Sequence, residues 1–348
     1  MGSLGSGLLV VIFAGAAIAT WIAGTALSKS TDVLDRRFGL GEALGGLILL
    51  AVAGSLPELA ITISAAAKGH LDLAAGNLIG GIAIQTMVLV ICDAAVRGKN
   101  PLSFMVGALI PVLEGALVVA VAGLVLMGAL LPEHTKIGPL SPASIAIVVV
   151  WFGGILVIGR LRNGPQWTIT MPGSKPGRRH HRQAPPPEAV PAHADRAIVI
   201  FAVASLVTLG AGVMLEVAGS TLADRAGING VIFGATILAA ATALPEISSG
   251  IAAVRIGDHQ LAMGDIFGGN AFQLCLFLVA DIVAGKPVLP AAGRLNSWLA
   301  ALGVVLTVVF AAGIIVRPQR RRLRLGADSW TAIVIFAVGM AGLFALPH

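Results

Sequence analysis

Hydrophobic residues in this chain neither alternate with polar ones nor recur at the spacing of an amphipathic helix; they run on without interruption. A helix needs about 20 such residues to cross the hydrocarbon core of a bilayer. The runs predict ten spans, at about 7–27, 41–66, 71–95, 102–129, 141–160, 197–217, 229–254, 260–283, 295–316 and 328–346. Polar positions collect between the runs. The few that fall inside them are therefore informative, among them Glu58, Asn77, Gln85, Glu114, Glu216, Glu246, Asp265, Asn270 and Gln273. The expected fold is all-α and polytopic.

Composition excludes the soluble alternative that 348 residues would allow, since 57% of the chain is hydrophobic, only 11% is charged and mean hydropathy is +0.93. A soluble domain carries about 25% charged residues. Met1–Leu8 contains no Lys or Arg, so the first run reads as a retained span and not as a secretory signal. Cys92 and Cys275 lie singly in apolar segments and suggest small core residues, neither a disulfide nor a metal motif. The net charge of +6 does not indicate a nucleic-acid partner, because the basic residues sit in the loops between spans. With both termini outside, 18 of the 23 Lys and Arg residues fall on the inner side, the bias expected of cytoplasmic loops. The bilayer is the implied partner, the localisation is a cell membrane, and Ala/Gly/Arg-rich usage suggests a bacterial one. Oligomeric state is not legible.

One segment, 161–196, is long and polar, with Pro185-Pro186-Pro187 and His180, His181 and His193. It reads as a flexible cytoplasmic linker between a first five-helix repeat (1–160) and a second (197–348). Aligned at an offset of 188 without gaps, residues 46–93 match 234–281 at 18 of 48 positions. Five spans per half is odd, so the halves enter the membrane from opposite sides. Inverted repeats of this kind place a substrate site at the repeat interface near the midplane.

The repeated segment carries the chemistry. Ser55-Leu56-Pro57-Glu58-Leu59 returns as Ala243-Leu244-Pro245-Glu246-Ile247. Proline lacks an N–H and clashes with the carbonyl four residues back, so the carbonyls of Ala53 and Ala241 lose their helical partners. A carboxylate follows each proline at once, and a hydroxyl lies nearby, Ser55 in one copy and Thr242 in the other. Further along come Gly76-Asn77-x-x-Gly80-Gly81 and Gly264-Asp265-x-x-Gly268-Gly269. Their glycines are close-packing faces. Asn77 and Gln85 share one helical stripe, as do Asp265 and Gln273. Facing each other, the two units offer hard oxygen ligands, and Ca²⁺ takes about 6–8 of these. Glu114 and Glu216 are candidates for an access path or for buried hydrogen bonds. Asp93 and Asp281 match across the repeats but sit at helix ends, where snorkelling to the interface is the expectation.

Two inverted Leu-Pro-Glu helices, each followed by a Gly-Asn-like cluster, resemble the calcium/cation antiporter superfamily of sodium/calcium and proton/calcium exchangers. The resemblance implies a ten-helix fold in which the second and third helices of each half line a central cation site. It also implies that the first and sixth helices slide past that core. Carried over by position, Glu58 and Glu246 are the helix-break glutamates, with Ser55 and Thr242 as neighbouring hydroxyls. The chain departs from the sodium/calcium pattern at Gly81 and Gly269, which lack a hydroxyl, at Ile82, which lacks an amide, and at Gln85 and Gln273.

The expected function is Ca²⁺/H⁺ antiport by alternating access, with Glu58 and Glu246 taking either one Ca²⁺ or two protons. Two carboxylates in one pocket titrate as a coupled pair, which suits proton exchange. A Na⁺/Ca²⁺ exchanger of the same fold is the alternative, and a cation channel is the alternative of another class. No Ser/His, Gly-x-Asp or His-Glu-x-x-His constellation lies in a span, so enzymatic activity is not expected. No cofactor is implied; metal cations are the substrate.

Overall fold

The structure is a computed structural model that describes residues 4–38, 46–132, 134–162 and 194–346. Residues 163–193 of the expected linker, with His180, His181 and His193, lie outside those residues, while its ends at 161–162 and 194–196 are helical. Among the described residues no sheet forms; two tight turns carry single bridges, Ile137–Leu140 and Arg322–Leu325.

The first half runs α1 (Ser6–Phe38), α2 (Gly46–Gly54), α3 (Leu56–Lys68), α4 (Leu71–Ala95), α5 (Leu102–Met105), α6 (Ile110–Ala129) and α7 (Pro142–Arg162). The second runs α8 (Ala194–Ala226), α9 (Gly230–Phe233), a π-turn at Gly234–Leu238, α10 (Ala239–Thr242) and α11 (Leu244–Ile256). It continues with α12 (His259–Gln273), α13 (Leu276–Ala284), α14 (Gly293–Val316) and α15 (Ala327–Ala345). Eight single stretches are long and apolar enough to cross a membrane, and the bent pair Gly230–Thr242 with Leu244–Ile256 makes a ninth. The span expected at 41–66 corresponds to α2 with α3, whose predicted start at 41–45 is not described. The chain is thus an all-helical, multi-pass membrane protein of ten spans arranged as two inverted five-helix repeats.

Two boundaries differ from expectation. The spans predicted at 7–27 and 197–217 lie within helices of 33 residues each. Hydropathy marks only the stretch inside lipid, whereas backbone hydrogen bonding continues beyond it. The span predicted at 102–129 is divided: α5 ends at Met105 and α6 begins at Ile110, with Pro111 in its first turn. Proline tolerates that place because the first-turn N–H has no helical acceptor.

The core is built on α4 and α12–α13, the most enclosed spans. Close approach across the repeats depends on the paired glycines. A Cβ on Gly76 would strike the backbone of Val231, and one on Gly80 would strike Ala235. Gly234 in turn lies against the Leu73 carbonyl and the Asn77 N–H. Outside this core, α1 and α8 pack along each other. Each presents a glycine notch to the proline of the opposite repeat: Gly24 on the ring of Pro245, Gly212 on the carbonyl of Pro57 and on Ala60. Gly24 and Gly212 are themselves 188 positions apart.

The snorkelling expectation for Asp93 and Asp281 is corrected. Their exposures are 1% and 0%. Asp93 accepts hydrogen bonds from the N–H of Leu102 (2.7 Å), the N–H of Gly326 (2.7 Å) and the hydroxyl of Ser329 (2.7 Å). Asp281 accepts from the N–H groups of Ser141 (2.8 Å) and Val288 (2.7 Å). Ser141 and Ser329 are again 188 apart. The third span of each repeat therefore holds the start of the fifth span of the other. Free backbone donors at a helix start make a carboxylate worth burying there.

Candidate cation site between the two helix breaks

Both breaks follow from proline. Ser55 (φ −92°, ψ 14°) and Ala243 (φ −79°, ψ −1°) interrupt the two broken spans, and the second bends by 44°. Pro57 and Pro245 then enter the first turns of α3 and α11, as do Glu58 and Glu246. A helix start offers unpaired N–H groups and the positive end of its dipole, so a carboxylate is favoured there even away from water. Ala53 and Ala241, whose carbonyls the prolines deprive of a donor, are buried beside the breaks, as are Ser55 and Thr242.

The breaks face each other. Glu58 is 1% exposed. Its Oε1 accepts from Gln85 Nε2 at 3.3 Å, and Thr242 of the opposite repeat, whose hydroxyl donates to the Ala239 carbonyl, lies beside its carboxylate. Glu246 lies close enough to Glu58, and to Asp265, for their charges to interact. Asp265 is half-buried and accepts from Ser249 Oγ at 2.9 Å. Glu58, Gln85, Thr242, Glu246 and Asp265 thus converge from five elements and from both repeats.

Gln273 does not mirror Gln85. Its Nε2 crosses to α4 and donates to the carbonyls of Asn77 (3.3 Å) and Leu78 (2.8 Å). That amide occupies the space a side chain on Gly81 would need, whereas a Cβ on Gly269 would meet open space. The missing hydroxyl at 81 is therefore what lets Gln273 knit the repeats together.

Several buried atoms here have no hydrogen-bond partner among the described residues: Glu58 Oε2, Glu246 Oε2, Asn77 Oδ1 and Nδ2, Asn270 Oδ1 and Gln273 Oε1. Buried oxygens are rarely left unpaired, because each costs about 1–3 kcal/mol. Five of these six atoms are oxygens, which accept but do not donate while the two carboxylates are ionised, and that matches the needs of a cation. Among the described residues no three His, Cys, Asp or Glu side chains cluster closely enough to hold a metal. Amide, hydroxyl and carbonyl oxygens would have to complete the shell around the glutamate pair.

Sequence reasoning missed two features. Thr20 on α1 and Thr208 on α8 are fully buried, and their hydroxyls lack partners among the described residues. Their separation of 188 was the available signal. Of the two readings given for Glu216, an access path or a buried hydrogen bond, the structure shows the second: Ser64 Oγ (2.6 Å), Lys68 Nζ (2.6 Å) and His70 Nδ1 (2.8 Å) hold it and tie α8 to α3 and the turn after it, although the partners themselves were not foreseen. Glu114 of α6 is buried against Gly264 and lines a small cavity of about 30 Å³ with Ala51 and Gly268.

Two inverted repeats, paired helix breaks and opposed buried carboxylates define a secondary transporter of cations. The sequence places the chain within one group of these. It belongs to the sodium/calcium exchanger protein family, whose model matches residues 8–159 and 196–346. It is 26% identical over 290 residues to inner membrane protein YrbG of Escherichia coli K12, covering 83% of this chain and 79% of that protein. Its fold resembles the crystal structure of the H⁺/Ca²⁺ exchanger CAX, with a TM-score of 0.69 at 16% identity over 98% of this chain and 82% of that one. It also resembles the sodium-calcium exchanger NCX_Mj, with a TM-score of 0.56 at 16% identity over 99% and 100% of the two chains. The family consists of exchangers, not enzymes.

Proposed function

We propose that this cation exchanger moves Ca²⁺ against H⁺ across a bacterial inner membrane, with Glu58 and Glu246 as the shared binding groups. The observation that carries the reading is the set of buried, acceptor-only oxygens around the two helix breaks. Ca²⁺ accepts about 6–8 oxygen ligands in a flexible geometry, which suits carboxylates supplemented by amides and freed carbonyls. Protons reach the same site without further ligands, because the two carboxylates carry them directly. Na⁺ needs its hydration replaced by several fixed oxygens, and two of the candidate positions for these are Gly81 and Gly269. Exchange follows from competition: one Ca²⁺ and two protons cannot occupy one carboxylate pair together.

The test is radiolabelled Ca²⁺ movement in proteoliposomes under a pH gradient or a Na⁺ gradient imposed separately. The pH gradient alone should drive uptake, and Glu58→Gln and Glu246→Gln should each abolish it. Uptake driven only by Na⁺ would overturn the proton assignment. Normal uptake by either variant would overturn the site. Single-channel conductance without a counter-gradient would replace exchange with a pore.

A further inference from the structure

A second cluster of charge lies far from the glutamates, where the loop after α4 meets the turn between α14 and α15. An open cleft of about 380 Å³ there is lined by Val96, Arg97, Gly98, Lys99, Arg321 and Arg324. Four of these six residues are cationic. Arg97, Lys99 and Arg324 are exposed and have no ion-pair partner among the described residues. Arg321 is different, with a side chain 8% exposed. Its guanidinium donates to the carbonyls of Val96 (3.0 Å) and Gly98 (3.2 Å) and lies 3.8 Å from the Asp93 carboxylate. Its Nε is buried and unpartnered among the described residues.

The walls are held rigidly. Leu323 (φ 51°) and Arg324 (φ 69°) adopt left-handed backbone without being glycine. Such conformations persist only where surroundings impose them, and they recur at ligand clamps. The turn is closed by the Arg322–Leu325 bridge and by Trp330 Nε1 donating to the Arg322 carbonyl at 2.9 Å. Beside the cleft, Leu323 is 80% exposed, and Ile315 and Val316 at the end of α14 are also bare. A basic cleft rimmed by exposed apolar side chains, at the end of membrane-crossing helices, has the chemistry of a lipid headgroup site.

We propose that this cleft binds a phosphate group, carried by an anionic phospholipid whose acyl chains lie against Leu323, Ile315 and Val316. Arg97, Lys99 and Arg324 supply the charge, and Arg presents a planar fork suited to phosphate oxygens. The ligand would bridge the loop of one repeat to the turn of the other. A free phosphate shares the headgroup chemistry, and the experiment separates the two sources.

Thermal unfolding of the full chain in detergent is measured with dihexanoyl phosphatidate, inorganic phosphate or dihexanoyl phosphatidylcholine. Wild type is compared with Arg324→Gly and with the double variant Arg97→Ser/Lys99→Ser. Glycine accepts the backbone at 324, so the first variant removes charge while relieving strain. The double variant changes only exposed side chains. Phosphatidate should raise the wild-type midpoint while phosphatidylcholine does not. The half-effective concentration should rise about tenfold in Arg324→Gly, the worth of one lost charge-assisted bond, and by more in the double variant, which loses two. An equal shift with inorganic phosphate at matched concentration would overturn the lipid assignment and leave a phosphate-anion site. No shift with either anion, or equal shifts in wild type and both variants, would overturn the site itself.

Discussion

Placing a methyl group at Gly212 tests whether the contact between α8 and the broken helix governs transport. A Cβ there would lie 2.7 Å from the Ala60 Cβ and 2.9 Å from the Pro57 carbonyl oxygen. Carbon atoms rest at about 3.5–4.0 Å, so α8 would have to move off α3 by about 1 Å. Overpacking of this kind costs about 1–3 kcal/mol. Where the strain falls on one of two alternating states, each 1.4 kcal/mol changes their ratio about tenfold. Gly212→Ala should therefore slow gradient-driven Ca²⁺ uptake in proteoliposomes by about fivefold or more. Gly24→Ala, whose Cβ would meet the Pro245 ring at 2.6 Å, should act in the same direction. Gly210→Ala is the control, because nothing lies within 4 Å of its Cβ on the same helix. Wild-type uptake by Gly212→Ala, or an equal loss in Gly210→Ala, would refute the reasoning.

Other perturbations separate folding from transport. Glu58→Gln keeps the shape of the side chain but removes a buried charge, so it should lose transport while its unfolding temperature in detergent stays at or above that of wild type. Asp93→Ala strands two backbone donors and a hydroxyl; at about 1–3 kcal/mol per buried unsatisfied group it should lower the unfolding temperature, and Asp281→Ala, which strands the N–H groups of Ser141 and Val288, should do the same. Glu216→Gln should loosen α8 from α3 at a cost of about 1.5–3 kcal/mol for hydrogen bonds to a charged group, read as faster protease cleavage near Lys68 with Ca²⁺ binding retained.

The repeat, the spans and the glutamates were legible because each leaves a local mark: an apolar run, a proline before an acid, an identity at a constant offset. Gln273 was legible as a polar residue on the right stripe, but not in its contacts. Whether it faces Glu246 or the α4 carbonyls depends on Gly81, 192 positions earlier in the chain. Asp93 and Asp281 were visible as a matched pair and misread, since their donors at Gly326 and Ser141 are reached only through the fold. Thr20 and Thr208 passed unnoticed because a threonine in an apolar helix usually bonds its own backbone, as Thr25 does with Trp21. The Glu216 cluster joins residues about 150 positions apart, and nothing local announces it.

The crossed anchoring by Asp93 and Asp281 bears on how such a chain could have arisen. A lone five-helix protein would carry an acid with only the donor of its own repeat, Leu102 for Asp93 or Val288 for Asp281, and a fifth helix with an open start. A second copy inserted upside down would cure both defects at once, each molecule completing the other. An ancestor of half this length would then have been obliged to live as an antiparallel pair, and gene fusion would have made permanent a partnership its backbone already required.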